Sequence, residues 1–313
     1  MTDGIEPEPS PYHFAPALWC GCYERIAIPQ DVVRQYLDGK QATCPRCHAS
    51  RDWWFTLLDT LKSVMSRPLI VIGAHQTVFQ LTLRREQEAV IDFSAAGVPD
   101  DAQILRVYYT VEADGEQPPL FPLQPLKSHP EPPWIPREFS IYPHTLGSGT
   151  IAETSKLNVL VAWLPADDAD ASQTQLVAAF DAYARGGYEP YNYDQFVIPA
   201  NTAVEVALGR LMATWLTKFA SADNVKNFLN DAATYGHQLN VLLPVMVRSV
   251  NAPLLPEHIR GALNRLRSLR NQLAHSGALS MPVTKSEAAE CLCAAFFGAE
   301  YVRMVSQLHE SDP

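Results

Sequence analysis

The sequence predicts an α+β protein of several domains, in which a small zinc module and an antiparallel β domain precede an all-α helical bundle. Three observations predict this order: two close pairs of cysteines near the start, a series of short β-rich runs up to about residue 165, and apolar residues at steps of three and four from about residue 196. With 313 residues, the chain can form about two domains with cores and one smaller module.

The charge and hydropathy of the chain exclude some classes of protein. A formal net charge of -10 argues against a broadly basic coat for nucleic acid, because phosphate binding needs cationic side chains. No apolar run reaches the roughly 20 residues that span a bilayer. The N-terminal segment MTDGIEPEPSPYHF is acidic and proline-rich, unlike a secretory signal, and residues 1–15 are predicted to be a tail. We therefore expect a cytoplasmic protein with no membrane partner.

The first organised segment, residues 16–51, is predicted to be a zinc-ribbon-like module. The pairs Cys20-x-Cys22 and Cys44-x-x-Cys47 are separated by 21 residues, and close cysteine pairs in a cytosolic protein indicate a metal site more than a disulfide. Four thiolates in tetrahedral geometry satisfy a structural zinc ion completely. Such a closed site leaves no position for substrate, so no catalytic metal is expected.

Two alternatives to the four-cysteine zinc site remain open from the sequence. His48 could replace one ligand if the short first pair cannot place both sulfur atoms on the metal. The four residues could also be unrelated reduced cysteines. Between the pairs, PQDVVRQYLDG is predicted to form a short helix that starts at Pro29 and ends at Gly39.

Residues 52–166 are predicted to form the antiparallel β domain. The domain starts with an amphipathic helix, Asp52 to Met65, that leads from the zinc module. The runs PLIVIGA, TVFQLTLRR, EAVIDFSAAG, ILRVYYTVEADG, EFSIYPH and KLNVLVAWLP have strand composition. The proline-rich segment 116–136 cannot lie inside a sheet and is predicted to be a surface loop that carries Trp134. The histidines His75, His129 and His144 stand alone, so no catalytic set is expected here.

Residues 167–195 are predicted to form a linking helix and an aromatic connector, and residues 196–306 to form four amphipathic helices. Four helices with short connections indicate an antiparallel bundle, followed by a tail at 307–313. Cys291 and Cys293 are two apart on the fourth helix, so they point to different sides. The first, second and fourth helices are marked by Val204, Leu208, Leu211, Trp215 and Phe219; by Phe228, Ala232, Tyr235, Leu239 and Leu242; and by Leu292, Ala295, Phe296, Ala299 and Val302.

The third helix, from about Pro256 to His275, breaks its own pattern with an arginine. Arg270 falls in the apolar stripe, where an unpaired buried guanidinium would be very costly. Asn271 and His275 are four residues apart on the adjoining polar face, and Gly277 ends the helix. A local violation of this kind marks a candidate functional site. The stripe consists of Ile259, Ala262, Leu263, Leu266, Leu269 and Leu273.

The segment from about 196 to 306 resembles the HEPN domain family. The resemblance rests on the order of the helices and on Arg270-Asn271-Gln272-Leu273-Ala274-His275, which matches the family's motif of arginine, a polar residue, three further residues and histidine. It implies a metal-independent ribonuclease that acts as a homodimer, with Arg270 and His275 catalytic and Asn271 in support. It also implies a toxin or an antiviral defence effector, restrained by a regulatory partner until a signal arrives.

The residues themselves suit the cleavage of an RNA substrate. RNA carries its own nucleophile, the 2′-hydroxyl, and histidine can accept or donate a proton near neutral pH. Arginine offers a fixed fork of donors to phosphate oxygens. The expected function is therefore an endoribonuclease. The alternative is a non-catalytic protein that binds a nucleotide or a partner, with the helical bundle used for dimerisation and the zinc module for recognition. Arg270 could then be a structural residue paired with an acidic group on a neighbouring helix, for example Glu205 or Asp231, and His275 could be favoured by the helix dipole. Glu205 and His237 are secondary candidates for the cleft.

Overall fold

The structure of the chain is a computed structural model, which describes residues 8–9, 17–22, 24–29, 31–62, 75–84, 89–112, 124–125, 138–141, 154–164, 171–187 and 191–310. The strands are β1 (Glu8–Pro9), β2 (Ala17–Trp19), β3 (Arg25–Ala27), β4 (Gln41–Thr43), β5 (Ser50–Asp52), β6 (His75–Arg84), β7 (Ala89–Asp92), β8 (Gln103–Glu112), β9 (Gln124–Pro125), β10 (Glu138–Ile141) and β11 (Thr154–Leu164). The helices are α1 (Val32–Leu37), α2 (Trp53–Lys62), α3 (Ala171–Gly186), α4 (Val197–Leu216), α5 (Ala222–Asp231), α6 (Tyr235–His237), α7 (Leu243–Ser249), α8 (Glu257–Ser276) and α9 (Lys285–Glu310).

The chain divides into two compact units. The β unit comprises residues 1–15 and 73–169, and the helical unit comprises residues 16–72 and 170–313. The predicted α+β class is therefore confirmed. In sequence, the β unit is inserted between two parts of the helical unit, and the segment with the cysteine pairs folds as part of the helical unit.

Two antiparallel sheets form the β unit. One has the strand order β1-β6-β11-β8, and the other has the order β7-β10-β9. Strand β6 alternates as its sequence predicts, since Phe79, Leu81 and Leu83 are buried and join residues of β7, β8 and β11 in one core. Gln80 is also buried on the opposite face, where its side-chain amide donates to Asn158 Oδ1 at 2.9 Å.

Two predictions for the β unit were wrong in part. Residues 8–9, predicted to belong to a tail, pair antiparallel with Phe79 and Gln80 of β6. Residues 124–125, predicted to lie in a surface loop, form the edge strand β9 on β10. A proline is compatible with an edge strand because its missing N–H then faces no partner. The predicted strand at 68–74 and the residues His129, Trp134 and His144 lie outside the described residues.

Helix α9 is the centre of the helical unit. Every residue from Cys291 to Ala299 is buried, including Gly298, which has no side chain. A helix that is buried on every side must be enclosed by other elements. Helices α1, α2, α3, α4 and α8 all pack against α9. The predicted four-helix bundle is thus a larger assembly around one enclosed helix.

Helices α2 and α3 belong to this assembly, although the sequence placed them at the start of the β domain and in a linker. The buried face of α2 includes Trp53, Trp54 and Leu61. The hydroxyl of Tyr183 in α3 donates to the carbonyl of Leu61 at 2.7 Å. The predicted face of α3 is confirmed, since Leu176, Ala179, Phe180 and Tyr183 are buried. Apolar faces of this size need a partner surface, which α9 provides for α2, and α4 together with α9 provides for α3.

The predicted second helix is broken into several pieces. Ser221 caps α5, which ends at Asp231, and a new helix starts after Thr234. One π-helical turn, Gln238–Leu242, separates α6 from α7. Pro244 has no N–H to donate, which favours a break at this point. Phe228 lies on α5, before the break, and its side chain is 43% exposed. Phe219 lies beyond the end of α4 at Leu216 and is 74% exposed. These two residues are not part of the core.

The remaining helices follow the sequence closely. The stripe of α8 is buried at Ile259, Ala262, Leu263, Leu266 and Leu269, and the marked residues of α9 are buried throughout. The predicted tail at 307–313 was wrong in part, because α9 continues to Glu310 and buries His309.

One helical stretch of the described chain, Asp194–Leu216, is long and apolar enough to cross a membrane, with a mean hydropathy of 1.2. Half of that window is buried inside the structure, as in the core helix of a soluble protein.

Candidate functional site

The four N-terminal cysteines lie in the turns of two small hairpins. The first turn joins β2 to β3, and the N–H of Cys20 donates to the carbonyl of Glu24 at 2.9 Å. The second joins β4 to β5, with the N–H of Cys44 donating to the carbonyl of Ala49 at 3.0 Å. His48 lies in this second turn with a positive φ of 57°. These backbone bonds fix the direction of the cysteine side chains.

The four sulfur atoms form a compact group. The Sγ atoms of Cys20 and Cys47 are 3.5 Å apart, as are those of Cys22 and Cys44, and all four lie within 4.8 Å of one another. Tetrahedral zinc with bonds of about 2.3 Å places its sulfur ligands roughly 3.8 Å apart. The group therefore has the size of a metal site. His48 is not part of it, so the four cysteines are the candidate ligands.

The ionisation of these thiols also fits a bound cation. Hydrogen bonds from the backbone N–H of Cys47, and then of Arg46, lower the pKa of the Cys44 thiol to about 7. The backbone bond at Glu24 favours the Cys22 thiolate, but desolvation and hydrogen bonds to the other three cysteines raise its pKa to about 12. Four sulfur atoms this close cannot all be thiolates without a cation between them.

The cysteine module is attached to the helical core through aromatic contacts. The hydroxyl of Tyr36 lies 3.1 Å from Nε2 of His258 on α8, and the Tyr36 ring meets Phe297 of α9 edge to face. Trp54 makes edge-to-face contacts with the same two residues. Helices α1 and α2, which lie next to the cysteine hairpins in the sequence, are therefore joined to the start of α8 in one packed cluster.

The second candidate site is the C-terminal end of α8. Arg270 and Asn271 are half-buried, and Nη1 of Arg270 donates to Oδ1 of Asn271 at 3.4 Å. His275 is exposed one turn beyond Asn271. Gly277 ends the helix with a φ of 71°, and its N–H donates to the carbonyl of Leu273 at 2.9 Å, as predicted.

The structure does not contain the ion pairs that the alternative reading of Arg270 requires. Within the described part of the chain, Arg270 has no carboxylate partner. Glu205 accepts a hydrogen bond from the side-chain amide of Asn201 at 3.0 Å, and Asp231 is exposed at the end of α5. The guanidinium of Arg270 therefore keeps most of its donors available at the surface.

The structure brings Arg270 and Asn271 into contact but joins neither to His275 by a hydrogen bond. The secondary candidates are also separate from the motif in this respect, since His237 is exposed and its Nδ1 lies 3.2 Å from the hydroxyl of Thr234. A single chain therefore presents one histidine and one arginine on the same end of a helix, each open to solvent.

The sequence did not predict that Tyr235 lies near Glu205 and Arg267 beside α8. Tyr235 is buried, and its hydroxyl has no hydrogen-bond partner among the described residues. Burial raises the pKa of Tyr235; the nearby carboxylate of Glu205 raises it further and the guanidinium of Arg267 lowers it. These three residues are thus close neighbours. The signals in the sequence were Arg267, one turn before Asn271 on the polar face of α8, and Glu205, a secondary candidate for the cleft.

Comparison of the chain with models of known families, with curated proteins and with solved structures finds no match.

Proposed function

We propose that the chain is a metal-independent endoribonuclease of HEPN type, which acts as a homodimer with a composite site of Arg270, Asn271 and His275. The observation that carries the proposal is the end of α8, where an arginine in an otherwise buried stripe remains half-exposed without a carboxylate partner. Because most donors of this guanidinium are open at the surface, they are available to a ligand with negative charge.

In this proposal the histidine moves protons and the arginine binds phosphate. The 2′-oxygen of the RNA attacks the adjacent phosphorus atom, and its proton passes to His275 of one copy. The bond from phosphorus to the 5′-oxygen breaks, and the histidine of the second copy donates a proton to that oxygen. The products are a cyclic 2′,3′-phosphate and a free 5′-hydroxyl. Arg270 donates to the phosphate oxygens while charge develops there.

A homodimer is part of the proposal because the reaction uses two proton-transfer groups. Each chain offers one histidine in the motif, and a two-fold axis places the same surface of both copies face to face. Asn271, which already accepts a hydrogen bond from Arg270, orients the guanidinium.

The cysteine module has a structural role in the proposal. We propose zinc as the ion that Cys20, Cys22, Cys44 and Cys47 hold, because four thiolates suit zinc and leave no open position for substrate. The toxin or defence role and a regulatory partner remain proposals that follow from the family resemblance alone.

The test is cleavage of total RNA by purified dimeric protein in the presence of EDTA. We expect His275→Ala and Arg270→Ala each to lower the rate by a factor on the order of 10² to 10⁴. Arg265→Ala, at an exposed arginine of the same helix that is paired with Glu287, is the matched control and should cut at the wild-type rate. Intact RNA with the wild-type dimer, or equal cleavage by both motif variants, would favour the non-catalytic binding protein instead.

A further inference from the structure

One face of α8 carries a continuous row of polar side chains that ends at His275. With about 100° of rotation per residue, the row spans roughly 80° of the helix circumference. We call it the polar row, and it consists of Arg260, Asn264, Arg267, Asn271 and His275. The apolar stripe of α8 lies on the other side of the helix. The polar row is about 22 Å long, since each residue adds about 1.5 Å.

The arginines of the polar row form no ion pair with any described residue, although the carboxylate of Glu205 lies in the neighbourhood of Arg267. Arg260 and Arg267 are half-buried and have no ion pair with any residue in the described ranges. Arg265, by contrast, lies off this row and forms an ion pair with Glu287 at 2.6 Å. Among the described residues, the arginines of α8 without an ion pair are therefore Arg260 and Arg267 of the polar row and Arg270, in a chain whose formal net charge is -10.

The absence of a side chain at Gly236 leaves space for the guanidinium of Arg267. A Cβ atom on Gly236 would lie 2.7 Å from Cζ of Arg267 and would overlap Nη1. The guanidinium thus lies directly on the backbone of α6, in space that only glycine leaves open. Asn264 is fixed in a similar way, because its side-chain amide exchanges two hydrogen bonds of 3.0 Å with Asn240. Two residues of the row, Asn264 and Arg267, are therefore held in place before any ligand arrives.

We infer that the polar row binds the phosphate backbone of single-stranded RNA and leads it to His275, with Arg267 as the principal phosphate contact and Arg260 as a second one. The inference rests on the proposed function, whose substrate it describes more closely. The guanidinium of Arg267 suits phosphate because it is held on the backbone of α6 and forms no ion pair among the described residues, so little side-chain freedom is lost when the contact forms. Since the contacts reach phosphate and not bases, binding along the row should depend little on base sequence.

The test measures binding of a fluorescein-labelled 15-nucleotide RNA that is 2′-O-methylated at every position, so that it cannot be cut. Fluorescence anisotropy gives the dissociation constant at a series of salt concentrations. We expect Arg267→Gln and Arg260→Gln each to reduce the slope of log K against log salt by about 0.7, the value for one phosphate contact in a single strand. Arg265→Gln is the matched control, and its slope should equal that of the wild type.

Gly236→Ala separates position from charge. The new Cβ expels the guanidinium of Arg267, which is the free end of a flexible side chain, so the fold should tolerate it while the formal charge stays the same. We expect Gly236→Ala to weaken RNA binding about as much as Arg267→Gln does. The double variant should bind RNA no more weakly than either single variant. A thermal melt of each variant checks that the helical unit is folded.

Cleavage of the unmethylated RNA, measured in parallel, distinguishes the two proposals. Binding with the expected slopes but no cleavage supports the polar row and rejects the ribonuclease. Cleavage with unchanged slopes in Arg267→Gln and Gly236→Ala rejects the polar row and leaves the ribonuclease intact. Failure of the wild-type protein to bind the methylated RNA, or an equal loss in Arg265→Gln, also overturns the inference.

Discussion

The cysteine module and the end of α8 differ in how completely one chain builds each site. The four sulfur atoms of the module converge from two hairpin turns to within 4.8 Å of one another. At the end of α8, Arg270 contacts Asn271, but His275 points to solvent without a described partner. The first arrangement is closed within the chain and suits a structural ion, whereas the second is open and suits a site that a further copy completes.

The two regions also differ in what fixes their side chains. Backbone hydrogen bonds within the turns orient the cysteines. The residues of α8 are placed by helical periodicity and by the burial of the opposite face. A change in the module should therefore act on stability, and a change at the end of α8 should act on activity.

The largest expected effect is on stability, from Cys44→Ser. Cys44 is buried and contributes one of the four thiolates, so the variant should lose the bound metal and lower the free energy of unfolding by on the order of 5 kcal/mol. Elemental analysis gives the metal content, and urea titration gives the stability. Cys291→Ala, which also removes a buried thiol, is the control and should keep about one metal ion per chain. A full metal content in Cys44→Ser would contradict the four-cysteine site.

The next effect is on activity alone. Arg270→Lys keeps the charge but removes the planar fork, and we expect cleavage to fall by a factor on the order of 10² with little change in stability. Rate measurements under single turnover and a thermal melt separate the two quantities. A melting temperature that falls as far as in Cys44→Ser would mean that Arg270 is a structural residue, and the contrast between the two regions would be lost.

A pH titration gives a smaller effect. Burial, followed by the nearby Glu287 and Glu290, raises the pKa of the Cys291 thiol from its ordinary value of 9.0 to about 12. Above pH 9 the unfolded chain loses this proton and the folded chain keeps it, so stability is lost as the pH rises from about 9 to 12. In this window, the free energy of unfolding of Cys291→Ala should fall by about 1.4 kcal/mol less per pH unit than that of the wild type. If the urea midpoints of the two proteins fall equally as the pH rises, Cys291 does not contribute to the pH dependence of stability.

The smallest effect tests the connection between the two regions. Tyr36→Phe removes the hydrogen bond to His258 while keeping the ring on Phe297, and should cost about 1 kcal/mol of stability. Tyr191→Phe, at an exposed position, is the control. The cost should disappear when a chelator has removed the metal, because Tyr36 lies between the two cysteine pairs. An equal cost with and without metal would show that the module and α8 are not coupled.

Local sequence patterns predicted the parts of the fold that depend on local geometry. The cysteine pairs, the stripe of α8, its glycine cap and the enclosed face of α9 all follow from spacing along the chain. The breaks in the second helix were missed because Phe228 has the correct spacing for a stripe, and only the turn after Asp231 turns it outward.

Contacts between distant parts of the sequence could not be predicted in this way. The attachment of α2 to α9 joins residues more than 200 positions apart, for example where the thiol of Cys293 lies 3.9 Å from the carbonyl of Trp54. At the candidate site, the spacing identified Arg270, Asn271 and His275, but the position of Arg267 on Gly236 depends on how α6 packs against α8. No periodicity in the sequence contains that information.

The enclosed position of α9 has a consequence for how the chain folds during synthesis. Trp54 and Cys293 are separated by 239 positions, so at roughly 5–20 residues per second α9 leaves the ribosome about 10–50 s after α2. Throughout that interval the face of α2 that packs on α9 has no partner, although α1 and the strands β2, β4 and β5, which also pack on α2, are already present. The segment with the cysteine pairs therefore reaches its final packing only after α9 has been made.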